Sequence, residues 1–152
     1  MISNRTNCYR RVALTRYLLA SAVLHLIWEV VQLPLYTIWR TGTPREIWFA
    51  IAHCTVGDVM IAALSLIAAI VIAGRRRWPT ENYAAVAACA IAFGIGYTAF
   101  SEWLNLSRGN WAYTELMPVI PGPGVGLSPL MQWLIVPGLA FWWAHRMGTS
   151  PS

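Results

Sequence analysis

Long apolar runs alternate with short polar interruptions along the chain, and that rhythm predicts four membrane-spanning helices. A helix needs about 20 mostly apolar residues to cross a hydrocarbon core. Four stretches meet that requirement, roughly residues 17–36, 47–73, 83–104 and 127–144. The expected fold is all-α: an integral membrane four-helix bundle forming one domain over residues 1–152. The N-terminal apolar run leads into Trp28, Glu29 and Gln32 without a small-residue cleavage site, so it reads as a retained first helix and not as a signal peptide.

The interruptions differ in kind. Arg5, Arg10, Arg11, Arg16, Arg75, Arg76, Arg77 and Arg146 fall in the N-terminal tail, the second connection and the C-terminal tail. The first and third connections hold only Arg40, Arg45 and Arg108. By the positive-inside rule both termini are expected in the cytoplasm, with the first and third connections facing outward. The third connection, NLSRGNWAYTELMPVIPGPGVG from Asn105 to Gly126, carries Trp111, Tyr113, Met117 and the prolines 118, 121 and 123. A disordered linker would be poor in aromatics. This one is expected to fold back over the bundle as an ordered cap, stiffened by proline and turned at glycine.

Composition supports a lipid environment. The chain is 57% hydrophobic and only 11% charged, with nine tryptophans suited to the membrane interface. Its net charge of +5 comes from arginine clusters beside apolar spans, a topological arrangement and not a nucleic-acid stripe. The expected partners are the bilayer and a lipidic small molecule, with no nucleic acid. Gly94 and Gly96 would also allow close packing of a second copy. Cys8, Cys54 and Cys89 show no paired spacing and read as small packing residues.

Candidate chemistry lies within the spans, where ionisable groups are costly and usually face a bundle interior. His25, Glu29 and Gln32 form one stripe on the first helix. His53 and Asp58, five residues apart on the second helix, diverge by about 140°. On the third helix Thr98, Ser101, Glu102 and Asn105 form another stripe; on the fourth, Ser128 and Gln132 lie one turn apart, followed by Trp133. At about 1.5 Å per residue, these groups fall in the outward half of the bundle. Taken singly, the amides and hydroxyls read as interhelical hydrogen-bond partners. Glu29, Asp58 and Glu102 together demand more, because three carboxylates in one site need a proton, a histidinium or a metal to balance them.

The expected catalytic set is therefore Glu29 and Glu102 as an acid–base pair, tuned by His25, His53 and Asp58. Gln32, Trp28, Trp103, Asn105, Trp111, Tyr113, Gln132 and Trp133 are the expected substrate-binding residues. No cofactor is required for such chemistry. A metal is also chemically feasible, with His25, Glu29, His53, Asp58 and Glu102 as the N/O donors, although the Glu-x-x-His repeat of di-iron bundles is missing.

The run HLIWEVVQLPLY from His25 to Tyr36, followed by His53 on the next helix, resembles part of the emopamil-binding and sigma-2-receptor superfamily. That resemblance covers about a quarter of the chain. It implies a four-helix membrane protein that isomerises a lipidic substrate by proton transfer, with Glu29 as acid–base group and His25 and His53 beside it. The family's other acidic motifs have no counterpart here, and the segment from Trp111 to Gly126 is foreign to its pattern. Elsewhere the all-arginine basicity and Ala-rich spans read like a bacterial inner-membrane family. The expected function is a membrane acid–base enzyme of isomerase or cyclase type. The alternatives are a binding or transport protein for a metal ion, proton or small hydrophobic ligand, and a non-catalytic subunit of a membrane complex.

Overall fold

The computed structural model describes the backbone of residues 2–74 and 78–146, and side chains from residue 8 onward. Arg75–Arg77, the side chain of Arg5 and the tail beyond Arg146, on which part of the orientation reading rests, lie outside the described residues. Among the described residues the chain forms α1 (Ile2–Gln32), α2 (Ile38–Thr41), α3 (Pro44–Ala69), α4 (Tyr83–Ser107) and α5 (Leu127–Arg146). A π-helical turn, Ile70–Gly74, prolongs α3. Four of these segments are long and apolar enough to cross a membrane: Cys8–Leu35, Pro44–Gly74, Tyr83–Ser107 and Leu127–Arg146.

The observed boundaries differ from the expected ones at α1. The helix begins at Ile2, fifteen residues before the expected start at 17, because arginines do not oppose helix formation where the chain leaves the apolar layer. It ends at Gln32 and gives way to a 3₁₀ turn, Leu33–Leu35, since the Pro34 ring removes a backbone donor and restricts the residue before it. Thr43 and Glu46 start α3 with a capping box: the Glu46 N–H donates to Thr43 Oγ1 at 3.4 Å, and the Thr43 N–H donates to Glu46 Oε2 at 2.7 Å. Pro137 lies inside α5 and is buried.

The four long helices form a ring in which α1 and α4 each pack against both α3 and α5. Successive long helices run antiparallel. One end of the bundle therefore holds Arg10, Arg11, Arg16 and Arg146, and the other holds the α1–α3 and α4–α5 connections. Lipid-sized apolar side chains face outward, with Val31 72% and Val71 76% exposed. Toward the arginine end the interior is an aromatic and alanine core built on Tyr17, Leu66, Trp78, Val86 and Phe141. Alanines 62, 69, 90, 140 and 144 within it let the backbones approach closely, as helix packing in lipid favours. Toward the other end the interior turns polar.

The α4–α5 connection is tied to the end of α1. Thr114 N–H donates to Leu35 O at 2.8 Å, Thr37 N–H donates to Ala112 O at 2.9 Å, and Arg40 makes a two-point ion pair with Glu115 at 2.8 and 3.2 Å. Met117 and Val125 of this connection are buried.

Candidate functional site

Two carboxylate neighbourhoods occupy the polar end of the interior. The first centres on Gln132. Because α5 turns Pro129, Gln132, Trp133 and Val136 inward, the Gln132 amide reaches α1 and α3 at once. Its Nε2 lies 2.8 Å from Asp58 Oδ2, 2.9 Å from His25 Nδ1 and 3.1 Å from Glu29 Oε1. Its Oε1 accepts from Gln32 Nε2 at 3.3 Å, and Gln32 Nε2 also donates to Glu29 Oε1 at 2.7 Å. Gln32 Oε1 in turn accepts from Ser128 Oγ at 2.9 Å and from the Trp28 indole at 3.2 Å. His25 Nδ1 and Asp58 Oδ2 are 3.4 Å apart, with His25 fully buried and Asp58 15% exposed.

An amide nitrogen has two protons to donate. Gln132 Nε2 faces three groups, two of them carboxyl oxygens. Gln32 Nε2 also donates to Glu29 Oε1, so the two amides together serve the cluster, and no arginine shares hydrogen bonds with it among the described residues.

The second neighbourhood surrounds Glu102, which is buried near the end of α4. Tyr113 donates to Glu102 Oε2, Tyr36 lies 3.5 Å from both carboxyl oxygens, and the Trp111 indole nitrogen is buried nearby without a hydrogen-bond partner. The Tyr113 hydroxyl accepts from Gly126 N–H at 2.9 Å, and the rings of Tyr36 and Tyr113 meet edge to face at 5.4 Å. Gly126 suits this close approach, since a Cβ there would sit 3.0 Å from that hydroxyl and push it aside by a few tenths of an ångström. Burial, with the adjacent Glu102 carboxylate, pushes both phenols up from their ordinary range, so Tyr36 and Tyr113 remain proton donors.

Of the expected site residues, the structure brings His25, Glu29, Asp58, Gln32 and Gln132 into the first neighbourhood and Glu102, Trp111 and Tyr113 into the second. Trp28 and Trp133 flank the first. The Trp133 ring lies 5.1 Å from the His25 ring and fills the space over Gly94, where a Cβ would be 1.9 Å from a ring carbon.

Three expected residues are placed elsewhere. His53 is exposed on the outer face of α3 and stacks on Phe49 at 5.5 Å, because the five-residue spacing that turns Asp58 inward turns His53 outward. Trp103 is 50% exposed beside Phe100, one residue and about 100° around the helix from Glu102. Asn105 is consumed at the end of α4, donating to Ser101 O at 2.8 Å and accepting from Asn110 at 2.7 Å. His53 and Glu102 stand apart from His25, Glu29 and Asp58, and the Gln132 amide nitrogen occupies the point on which those three close. No group of three or more His, Cys, Asp or Glu is placed to hold a metal ion among the described residues.

Sequence reasoning missed Tyr36 as a partner of Glu102, although it stands one turn beyond Gln32. It also missed that the α1 stripe continues toward the arginine end through Ser21 and Tyr17, both buried. Comparison with family models, curated proteins and solved structures returned no match.

Proposed function

We propose that this protein is a membrane-embedded acid–base enzyme of isomerase or cyclase type, acting on a lipidic or isoprenoid substrate. The observation that carries the reading is the convergence of Glu29, Asp58 and His25 on the single amide nitrogen of Gln132. Buried carboxyls and an imidazole held this close can deliver a proton to a substrate carbon and withdraw another. Glu29 is the acid–base group, His25 and Asp58 set its protonation, and Gln132 and Gln32 hold its orientation. Glu102, with the protonated phenols of Tyr36 and Tyr113, is the second acid–base position.

An apolar groove of about 400 Å³ between α3 and α4 is lined by Gly57, Met60, Ile61, Leu64, Phe93 and Tyr97. It begins one residue from Asp58 and suits a hydrocarbon chain arriving from the bilayer. The resemblance of His25–Tyr36 to the emopamil-binding and sigma-2-receptor superfamily supports proton transfer at Glu29, without His53. In this reading the arginine-rich end faces the cytoplasm of a bacterial inner membrane. The α4–α5 connection is an ordered cap over a site on the periplasmic side.

The test is deuterium incorporation. Purified protein in lipid nanodiscs is incubated in D₂O with a panel of isoprenoid and sterol lipids, and the lipids are weighed by mass spectrometry. Wild-type protein is expected to exchange C–H for C–D in at least one lipid, and Glu29→Gln to exchange none while eluting as a folded species. Equal incorporation by the two proteins, or none by either, would overturn the reading.

A further inference from the structure

The arginine end of the bundle holds a hollow of its own, far from the carboxylates. An open pocket of about 280 Å³ lies where α1 meets the start of α4 and the end of α5. Tyr9, Arg16, Thr80, Tyr83 and His145 line it, with small apolar side chains of α1 and α5 between them. Along α1, Arg16 stands about 20 Å from Glu29 at 1.5 Å per residue.

One wall of this pocket is anchored in the core. The Tyr83 hydroxyl donates to Phe141 O at 2.7 Å. Its ring stacks on Trp78 at 6.2 Å between centres, and Trp78 is buried in the aromatic core. The His145 ring meets the same Tyr83 ring at 4.6 Å, so the imidazole is held at the rim. The next side chain, Arg146, is directed elsewhere, its guanidinium 4.3 Å over the Trp142 ring.

The polar lining favours an anion. Arg16 offers a fork of N–H donors, His145 at least one ring N–H and Tyr9 a phenol. No acidic side chain lines the pocket, and among the described residues Arg16 forms no ion pair. Arg10 and Arg11 stand at the same end of α1 and add to the positive field.

Height in the bilayer narrows the choice of anion. The apolar runs begin just after Arg16 on α1 and at Tyr83 on α4, and the last ends just before His145 on α5. These three residues therefore share the level at which hydrocarbon gives way to lipid headgroups. A guanidinium fork matches phosphate oxygens in geometry as well as charge. Pockets that enclose a whole small molecule measure about 300–1,000 Å³, so this one admits a headgroup and leaves the acyl chains in the bilayer. Val12, half-exposed on the pocket's α1 side, offers those chains an apolar surface.

We infer that this pocket binds the phosphate of an anionic phospholipid, with Arg16 pairing to it and His145 and Tyr9 donating hydrogen bonds. Basic pockets between helices at the headgroup level are suited to such lipids. The site does not rest on the enzymatic reading, because its residues lie at the opposite end of the bundle from Glu29 and Glu102.

The test titrates delipidated protein in detergent with phosphatidylglycerol or phosphatidylcholine and counts bound lipids by native mass spectrometry. Wild-type protein is expected to bind phosphatidylglycerol at least about fivefold more tightly, the worth of one arginine near anionic lipid. Arg16→Gln should weaken phosphatidylglycerol binding by about the same factor and leave phosphatidylcholine binding as it was. Arg108→Gln, exposed at the other end of the bundle, should change neither. If Arg16→Gln does not elute as a folded species, His145→Ala on α5 makes the same test. The proposal is overturned by equal binding of the two lipids, by undiminished binding in the folded variant, or by an equal loss in Arg108→Gln. Displacement of bound phosphatidylglycerol by millimolar inorganic phosphate would also overturn it, since the pocket would then take the free anion. Deuterium incorporation into isoprenoid and sterol lipids is a separate readout, so failure of either proposal is told from failure of the other.

Discussion

The two carboxylate neighbourhoods share one end of the bundle but are built from opposite materials. Around Glu29 and Asp58 the donors are amides and an imidazole carried on α1 and α5, and the Gln132 amide joins residues of α1 and α3 that are far from it in sequence. Around Glu102 the donors are phenols, and both stand outside the helices that span the membrane, at Tyr36 and Tyr113. Helices in a packed ring hold their side chains at fixed heights, so the first neighbourhood is as rigid as the bundle. The second is only as fixed as the connection that brings Tyr113 over α4.

The contrast is broken most severely at Gln132. Gln132→Leu leaves Asp58, Glu29 and His25 without their common donor, and should cost about 3 kcal/mol or more from unsatisfied buried groups. The thermal midpoint in detergent measures this, and a shift no larger than that of Tyr113→Phe would contradict the assignment of rigidity. Gly94→Ala comes next. Its new methyl would meet the Trp133 ring at 1.9 Å and force the ring that backs His25 to move, at about 1–3 kcal/mol of overpacking. It should lower the midpoint, whereas Gly96→Ala, where nothing lies within 4 Å, should not.

Tyr113→Phe removes the donor to Glu102 and the acceptor for Gly126 N–H together. Its expected cost is about 1–2 kcal/mol, and hydrogen exchange should rise in the α4–α5 connection without rising in α1.

The smallest effect concerns the ion pair that anchors this connection. Hydrogen bonding from Arg40 lowers Glu115 from its ordinary value, so its stabilisation is present above about pH 4.3 and is lost as the pH falls through the lower folded value. Both side chains are exposed, which keeps the effect small. The midpoint difference between wild type and Glu115→Gln should be measurable near neutral pH and close on acidification.

The helices were legible because a span is a property of local composition. The apolar runs marked all four, and only their ends moved: α1 reaches into the arginine-rich tail and stops early, where Pro34 intervenes. The stripes were legible for the same reason, since His25, Glu29 and Gln32 share a face by spacing alone. The divergence of His53 from Asp58 was also visible, but not which of the two would face inward. That choice depends on where α1 and α5 dock against α3, and no spacing within α3 encodes it.

Sequence by itself determined the number of helices, the side of α1 that carries polar groups and the separation of His53 from Asp58, because each follows from hydropathy and helical period within one segment. Tertiary structure alone decided that Gln132 would bridge α1 and α3, that Tyr36 and Tyr113 would meet at Glu102, and that Trp133 would fill the space over Gly94. Those contacts join residues from different helices, and their partners are chosen by how the ring of helices closes.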